Sequence, residues 1–549
     1  MNNIATIKHY HETTKHRFGR YARSLGYLDW ATQPDPFREF TGAERIALPK
    51  TDEGRQGEEV FSGDALEDIL YEELFIPGRV PPQRLSRETL GIFFEYSLAI
   101  SAWKRVDRSQ WALRINPSSG NLHPTEGYCL LPAMDEIHTH PGVYHYAPRE
   151  HSLEKRGEFP QAVWDILPPD IFLVGLSSIS WRETWKYGER AFRYCQHDCG
   201  HAYMALDMAA RLLGWRIGLP DTISDREIGM ALGLDRTDEF QTNEGEIPEL
   251  LITVQLKPNG LPTHHAIPER FFQGVSDGAW FGKAAPFRRA HHDWPLIHTA
   301  ERATGKPRTA PGMIDPSAED DPFQYWQSPY EQGHYERGFS ARQVIKKRRS
   351  AVGMDGTSAL GRASFYRMLS RIAGASKDLP WQPKVHLALF VHRVDDLVPG
   401  LYLLVRHPAM RAELEKATHD HFRWESPPAS PAGLPLYFLR EGDLTHIART
   451  ISCTQDIASD GAFSVGMVAR FQSELDAHGA WFYKRLFWET GMIGQLLYLE
   501  AEAVGLSGCG IGCFFDDAVH ELLGFRDRAF QSLYHFTVGG AVPDSRLAS

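Results

Sequence analysis

The chain repeats one order of structural signals in its two halves, and this repeat constrains the fold more than any other feature. In each half an amphipathic helix ends at a glycine, and a loop, a second short helix and a strand follow. Apolar residues at helical spacing predict the first helix, and a glycine just past the last apolar turn is a typical stop signal. The apolar faces are Ala202, Ala205, Leu206, Ala209, Leu212 and Leu213 before Gly214, and Ile493, Leu496, Leu497, Ala501 and Val504 before Gly505.

The later elements of the repeat also correspond. Ser224-Asp225-Arg226-Glu227 is a capping-box start for a helix that leads to Leu232-Gly233, and Asp516-Asp517 opens a counterpart that leads to Leu523-Gly524. Strands are predicted at 250–256 and 533–538, and β-like runs begin after Pro-Gly at 143–144 and 401–402. An order repeated with the same punctuation indicates two domains of one fold.

The length of 549 residues also requires more than one core, since single cores stop growing at roughly 250–300 residues. Residues 300–322 combine proline, glycine and charge without periodicity, which is typical of a linker. We predict an N-terminal extension (1–60), a first domain (61–299), a linker (300–335) and a second domain (336–549).

The composition argues against several classes of partner. A formal net charge of -11 and a pI near 6.1 disfavour binding to nucleic acid or to an anionic membrane surface. No apolar run approaches the roughly 20 residues that span a bilayer, and the polar start of the chain lacks the apolar segment of a secretory signal. We expect a cytoplasmic, globular protein.

The six cysteines are too sparse for a disulfide framework, so we expect reduced, mostly buried thiols. Cys195/Cys199 and Cys509/Cys513 are offset by four residues and are not the C-x-x-C of a zinc ribbon. His197 and His201 lie beside the first pair, but the sequence nearby does not complete a tetrahedral ligand set. We therefore predict no metal.

Three segments carry candidate chemistry. Residues 114–124 form a tight polar turn whose hydroxyls, amides and backbone N–H groups suit a planar polar ligand or a phosphate; alone, an ordinary loop is the alternative. Lys346-Lys347-Arg348-Arg349-Ser350 can grip a phosphate, or can be the solvated basic end of a linker. Three glycines in 508–512 allow backbone amides to approach a ligand, or mark only a turn.

Together these segments resemble the nitroreductase superfamily, and most closely its SagB/ThcOx-type dehydrogenases. The resemblance covers nearly all of both halves and rests on NPSSGNLHPTEGY (116–128), PGVYHY (141–146), WKYGERAFRY (185–194), KKRRS (346–350) and GCGIGCFFDDAVHELLGF (508–525). It implies an α+β fold of two tandem nitroreductase-like domains that form an intramolecular pseudo-dimer. It also implies FMN bound between them.

The resemblance divides the FMN contacts between the halves. It assigns Pro117, Ser118, Ser119 and Asn121 in the first half, and Arg348, Arg349, Ser350, Ile511 and Gly512 in the second. Arg546 matches a late basic position that reaches the phosphate in relatives, or is a solvated tail residue. The reciprocal set is degraded at 70–86, where the arginine pair would lie, and at 378–390, where the Pro-Ser-Ser turn would lie. One FMN per chain follows, and a second is in doubt.

The resemblance also implies that Lys186 and Tyr187 are catalytic, because azoline-oxidising relatives carry a Lys-Tyr pair at this place. The alternative is an exposed lysine beside a packing tyrosine. Either side chain can act as a base only if its pKa falls well below about 10. We expect Arg190 and Arg193, about one helical turn further on, to supply cations that lower it.

The sequence thus predicts an FMN-dependent oxidoreductase. If the likeness extends to activity, the substrate is an azoline in a modified peptide or small molecule, oxidised to an azole. Alternatives are NAD(P)H-dependent reduction of nitro or quinone compounds, a non-catalytic flavin-binding scaffold in a biosynthetic complex, and a flavin-free pseudoenzyme. No Rossmann fingerprint is visible in the sequence, so NAD(P)H would bind transiently.

Overall fold

A computed structural model describes residues 2–51, 69–241, 244–258, 266–287, 292–311, 338–375 and 379–547 of the chain. The fold is α+β, as predicted. The helices are α1 (Asn3–Thr13), α2 (Arg87–Glu95), α3 (Gln161–Trp164), α4 (Ser180–Tyr187), α5 (Ala191–Leu212), α6 (Asp225–Leu232), α7 (Glu269–Ser276), α8 (Pro295–Ala303), α9 (Ala341–Lys347), α10 (Arg362–Gly374), α11 (Arg411–Ala417), α12 (Thr445–Ile451), α13 (Ile457–Asp460), α14 (Gln472–His478), α15 (Phe482–Glu502) and α16 (Asp516–Leu523).

The strands form one main antiparallel sheet in each half. They are β1 (Phe40–Thr41), β2 (Arg45–Ala47), β3 (Ile100–Val106), β4 (Ser109–Arg114), β5 (Thr125–Leu131), β6 (Gly142–Ala147), β7 (Ser152–Glu158), β8 (Ile171–Ser178), β9 (Arg216–Gly218), β10 (Ile247–Gln255), β11 (Ala279–Trp280), β12 (Lys283–Ala284), β13 (Val385–Val391), β14 (Gly400–Leu404), β15 (Leu436–Glu441), β16 (Phe463–Arg470), β17 (Ser507–Ile511) and β18 (Phe530–Gly539).

The two main sheets have the same topology. The first runs β7-β6-β5-β8-β10-β9, and the second runs β15-β14-β13-β16-β18-β17. In each, a long helix (α5 or α15) precedes the edge strand, and a short helix (α6 or α16) precedes the last strand in the chain order. Strands β11 and β2 extend the first sheet at β7, while β1–β12 and β3–β4 pair separately. The repeat read from the sequence is therefore a repeat of topology.

The predicted helix ends are also confirmed. Gly214 and Gly505 follow α5 and α15 with φ of +68° and +75°, the left-handed region that glycine adopts without steric cost. The Ser224 hydroxyl accepts from the Glu227 N–H at 3.2 Å, and the Glu227 carboxylate accepts from the Ser224 N–H at 2.9 Å. These local signals depend on neighbouring residues alone, which is why the sequence displays them.

Helices α5 and α15 cross at the centre of the molecule and join the halves into one pseudo-dimer. A Cβ at Gly200 would lie 2.1 Å from the Trp488 carbonyl oxygen, and one at Gly491 would lie 2.2 Å from that of His197. The two backbones therefore touch, as only glycine permits, and one apolar core continues through both halves. None of the helices in the described ranges is long and apolar enough to cross a membrane.

The predicted domain boundaries stay a prediction, but the structure shows contacts across them. Strands β1 and β2 lie inside the predicted extension but pair with β12 and β7 of the first half. Residues 300–303 of the predicted linker are the end of α8, where Ala300 and Ala303 are buried, and 312–335 lie outside the described residues. Strands of two or three residues and the last turn of a helix are too short for a periodic signal.

Candidate active site

A cavity of about 340 Å³ lies between the two halves. The turn at 117–121 forms one side of it, and β17 with its continuation to Cys513 forms the other. Among the predicted site residues, the cavity brings together Pro117, Ser118, Ser119, Asn121, Tyr187, Arg348, Ser350, Ile511 and Gly512. Segments separated by up to 395 residues therefore share one concave surface, although their role toward a cofactor stays a prediction.

Two predicted phosphate contacts lie outside the cavity lining. The Arg349 guanidinium donates to the carbonyl oxygens of Lys346 and Arg348, each at 2.6 Å, and to that of Ser101 at 2.7 Å. The Arg546 side chain is 42% exposed and pairs with Asp544 at 2.7 Å. Because these guanidinium groups face other partners, the geometry favours Arg348 alone over the predicted set of arginines.

Polar side chains of the first-half turn, which were predicted to contact a ligand, also stabilise the turn itself. Asp198 of α5 accepts from the Ser119 N–H and from its hydroxyl, each at 3.0 Å. Asn121 donates to the Ala112 carbonyl at 2.8 Å and lies 3.1 Å from the His123 ring nitrogen Nε2. Thus Ser119 and Asn121 hold the shape of the turn in addition to lining the cavity.

Asp198 is a titratable group that the sequence analysis did not select. Its burial raises the pKa of the carboxyl to about 7, against the bonds from Ser118 and Ser119 that lower it. A carboxyl that titrates near neutral pH can exchange a proton with a bound molecule. Tyr194, Asp198 and His201 follow one another at helical spacing on α5 and all line the cavity. Their i, i+4 and i+7 spacing, which places three polar side chains on one face of α5, is the signal that could have revealed them.

We expect Asp198→Asn to stabilise the chain increasingly as the pH rises from 4 to 8. The folded protein keeps Asp198 protonated up to a pKa of about 7, whereas the unfolded chain ionises near 3.8. The unfolded state then binds fewer protons than the folded state in this window. The free energy of unfolding of the wild type therefore falls with rising pH, by about 4 kcal/mol in total. Melting temperatures of both proteins across this pH range measure it, and a difference independent of pH would contradict it.

The Arg348 end of the cavity holds buried nitrogens without partners. Arg348 is 2% exposed; its Nη2 donates to the Arg114 carbonyl at 2.9 Å, while Nε and Nη1 have no hydrogen-bond partner within the described ranges. Burial lowers the pKa of this guanidinium. Beside it the Ser350 and Tyr498 hydroxyls lie 2.8 Å apart. An unpaired buried charge is costly, so this end favours an anionic ligand.

Lys104 is a second cation at the cavity that the sequence analysis missed. It lies on β3 and pairs with Asp544 at 2.7 Å. The C-terminal segment carries this aspartate to the first half, where the Arg105 N–H donates to the Arg546 carbonyl at 2.7 Å. The tail therefore neutralises a cavity lysine and does not supply a cation of its own.

Two glycines in and just after β17 lie against tyrosine rings of the protein itself. A Cβ at Gly510 would lie 2.0 Å from the Tyr534 hydroxyl oxygen, and one at Gly512 would lie 2.2 Å from the Tyr194 ring. The missing side chains thus make room for two tyrosines that themselves line the cavity. The glycines thus allow close approach of the Tyr534 and Tyr194 side chains to the backbone.

The Lys186–Tyr187 pair ends α4 and lies against the turn. A Cβ at Gly120 would be 2.7 Å from the Tyr187 hydroxyl and 3.2 Å from Lys186 Nζ. Tyr187 lines the cavity and packs on Tyr194, with ring centroids 4.3 Å apart. Lys186 stands just behind the turn, with Nζ 5.3 Å from the centre of the Tyr187 ring.

The expected effect of Arg190 and Arg193 on this pair is wrong for Tyr187. Both guanidinium groups are paired with the single carboxylate of Asp516, at 2.9 and 2.7 Å, and neither is a cause of the pKa shift of Tyr187. Burial, together with the charge on Glu183, raises the pKa of Tyr187 well above its usual value. Tyr187 is therefore a neutral phenol that can donate a hydrogen bond and is unsuited to act as a phenolate base.

The pseudo-twofold position, where a second cavity would lie, is built differently. Glu489 stands two residues before Gly491, as Asp198 stands two before Gly200. Glu489 accepts from the backbone N–H groups of Lys384 and Val385 at 3.1 Å. The segment it holds belongs to 378–390, the place predicted for the degraded turn.

Indole rings fill the space beside Glu489. The Arg485 guanidinium lies 4.7 Å from the centre of the Trp381 ring, 5.0 Å from that of Trp481 and 5.8 Å from that of Trp488. Lys306, from the predicted linker, covers Trp481 at 5.1 Å and donates to the Ile223 carbonyl at 2.9 Å. The chain's own side chains occupy this position.

The side chains considered for a metal have other partners. His197 Nδ1 lies 2.9 Å from the Thr490 hydroxyl and His201 Nε2 lies 3.2 Å from that of Tyr534. Among the described residues a cluster spaced like metal ligands is His138, His140 and Glu158. The Lys155 ammonium lies 2.7 Å from both His138 Nε2 and Glu158, so a cation already stands there.

A solved structure shares the fold of the whole chain, and a family model matches part of the second half. A candidate nitroreductase from Anabaena variabilis superposes on 99% of this chain and 100% of its own, with a TM-score of 0.68 at 21% identity. This likeness establishes the fold over the whole chain. Residues 401–540 match the family model of the Nitroreductase family, so the second half contains a nitroreductase-family domain.

Shorter likenesses include a candidate nitroreductase from Ralstonia eutropha JMP134 and the Escherichia coli microcin synthetase McbBCD complex. The first has 14% identity over 39% of this chain and 88% of its own, with a TM-score of 0.27. The second has 15% identity over 47% of this chain and 94% of its own, also with a TM-score of 0.27. Comparison with curated protein sequences gave no significant match.

Proposed function

We propose that the protein is an FMN-dependent oxidoreductase that holds one flavin in the cavity between its halves. The observation that carries the proposal is Arg348, whose buried Nε and Nη1 lack partners among the described residues at the wall of this cavity. A dianionic phosphate would supply the missing acceptors through charge-assisted bonds. Ser350 stands at the same cavity and would add a hydroxyl, whereas the charge of Lys104 is already paired with Asp544.

The remaining lining fits a planar polar ring. The backbone of β17, the turn at 117–121 and the rings of Tyr187 and Tyr194 all line the cavity. FMN bound there would supply two-electron chemistry, while the protein supplies binding, orientation and proton handling. Tyr187 would donate a hydrogen bond from its neutral phenol, and Asp198 would exchange a proton near neutral pH.

The finer proposal is a SagB/ThcOx-type dehydrogenase that oxidises an azoline, in a modified peptide or small molecule, to an azole. It is supported by the Lys186–Tyr187 pair at the edge of the cavity. Reduction of nitro or quinone compounds with transiently bound NAD(P)H uses the same cofactor and stays the alternative. The proposal includes a cytosolic location. It also includes a composite site, in which the turn at 117–121 of the first half and Arg348 of the second half hold the same flavin.

We expect about one FMN per purified chain. Tryptophans packed around Arg485 fill the pseudo-twofold position where a second flavin would bind. The first cavity instead contains Arg348, a cation with two nitrogens that lack hydrogen-bond partners among the described residues. Flavin released by heat and quantified against protein measures the ratio. Two tightly bound flavins per chain would contradict the single site, and none would contradict the proposed function. Bleaching of the flavin band by NADPH would favour the reductase over the dehydrogenase.

A further inference from the structure

Two cysteines far apart in the sequence meet at the edge of the cavity. Cys453 follows α12, and Cys513 follows β17 and lines the cavity beside Gly512. Their sulfur atoms lie 2.8 Å apart. A disulfide has an S–S distance of about 2.0 Å, so covalent closure needs a sulfur movement of about 0.8 Å.

Hydrogen bonds hold the two loops together on both sides of the cysteines. Gln455 Nε2 donates to the Cys513 carbonyl at 3.0 Å and to the Ser452 carbonyl at 2.8 Å. The Phe515 N–H donates to the Ile451 carbonyl at 2.8 Å. Cys453 has a φ of +53°, a region that costs energy for a residue other than glycine. Backbone strain of this kind, next to the cavity-lining Cys513, is often found at functional sites.

The two sulfurs are also chemically distinct. The hydrogen bond with Cys453, with smaller contributions from His16 and Arg190, lowers the pKa of Cys513 to about 5. The same pairing raises the pKa of Cys453. A thiolate beside a thiol is the reactive arrangement of thiol–disulfide chemistry. By contrast Cys509 also lines the cavity, but burial raises the pKa of its thiol to about 12.

The pair lies at the same end of the cavity as Tyr187. Tyr194 connects them, since its hydroxyl donates to the Gly512 carbonyl at 3.1 Å and its ring packs on Tyr187. We infer that Cys453 and Cys513 form a dithiol–disulfide couple that exchanges two electrons with the flavin of the proposed function. This inference rests on that function, because the flavin is the other half of the exchange.

The exchange balances without a further reactant. From the Cys513 thiolate and the Cys453 thiol, closure joins the two sulfurs, breaks the one S–H bond and releases two electrons and one proton. The pair passes both electrons and this proton to oxidised flavin, which would become anionic reduced flavin, or takes them back as the S–S bond breaks. A transient, catalytic disulfide is also the kind that a reducing cytosol permits.

The test is an anaerobic reductive titration of the flavin-loaded chain after oxidation with diamide and removal of the oxidant. Wild type and the control Cys129→Ala, whose thiol is buried outside the cavity lining, are expected to take up four electrons per chain. Cys453→Ser and Cys513→Ser are expected to take up only two, because each couple carries two. Thiol alkylation and peptide mapping on the same samples should locate a Cys453–Cys513 disulfide in the oxidised wild type and in the oxidised control. The disulfide should be absent from Cys453→Ser and Cys513→Ser.

The outcomes separate the inference from the function on which it rests. Uptake of two electrons by a flavin-loaded wild type, or reduced thiols at both positions after oxidation, would overturn the inference while leaving the flavin function intact. A Cys453–Cys513 disulfide in a chain that binds no flavin would overturn both the electron exchange and the proposed function, since the mapping needs no cofactor.

Discussion

Arg348→Ala is expected to remove most of the flavin from the protein while leaving the fold in place. Two nitrogens of Arg348 are buried at the cavity without partners in the described residues. Charge-assisted hydrogen bonds are worth about 1.5–3 kcal/mol each, so losing two should weaken FMN binding by about 10²–10⁴-fold. Flavin content after purification and the Kd for added FMN measure the loss.

Arg349→Ala is the matched control, because the two arginines are neighbours with the same charge. The Arg349 guanidinium is used by the carbonyls of Lys346, Arg348 and Ser101. Its removal is expected to lower the melting temperature and to change the flavin Kd by less than Arg348→Ala does. Full flavin in Arg348→Ala, or equal losses in both variants, would show that the phosphate is not held by Arg348.

The sequence predicted the fold well wherever the signal was local. Apolar periodicity, the stop glycines Gly214 and Gly505 and the capping box at Ser224 all depend on residues close in the chain, and all were found where predicted. Strands β1 and β2 within the predicted extension were missed, because they pair with the distant strands β12 and β7. Such pairing has no signature in two or three residues.

The segments that meet at the cavity carry patterns visible in the sequence, while their role toward a cofactor stays a prediction. The roles inside the segments needed the structure. The neighbours Arg348 and Arg349 look alike in the sequence but face different partners, and the glycines of β17 accommodate Tyr194 and Tyr534. The Cys453–Cys513 contact joins residues 60 positions apart, which spacing alone does not reveal.

Tyr187→Phe and Lys186→Met are expected to slow azoline oxidation by about 10²–10⁴-fold with flavin content and melting temperature retained. Both changes nearly preserve shape: phenylalanine keeps the ring that packs on Tyr194 at 4.3 Å, and methionine keeps most of the lysine stem. What each loses is a polar atom beside the turn, close to Gly120. Oxidation of a thiazoline-containing peptide, followed by the flavin absorbance, measures the loss.

The raised pKa of Tyr187 makes the two variants informative in different ways. A neutral phenol can orient the substrate or donate a proton. Tyr187→Phe should therefore lower the rate without changing the shape of its pH dependence, because no phenolate of Tyr187 contributes to it. Azole formation requires loss of a carbon-bound proton as well as hydride transfer, whereas quinone reduction requires no such step. Lys186→Met should therefore impair azoline oxidation more than quinone reduction by NADPH.

A surface lysine supplies the control for these measurements. Lys257 pairs with Asp170 at 3.0 Å and its side chain is 69% exposed, so Lys257→Met should leave flavin content, melting temperature and both rates unchanged. A purely structural Lys186–Tyr187 pair would give a different pattern, in which rates fall only as far as the melting temperature does. An active, flavin-loaded Tyr187→Phe would remove the hydroxyl from the mechanism, and an equally active Lys186→Met would leave Asp198, with its pKa of about 7, as the proton acceptor to test next.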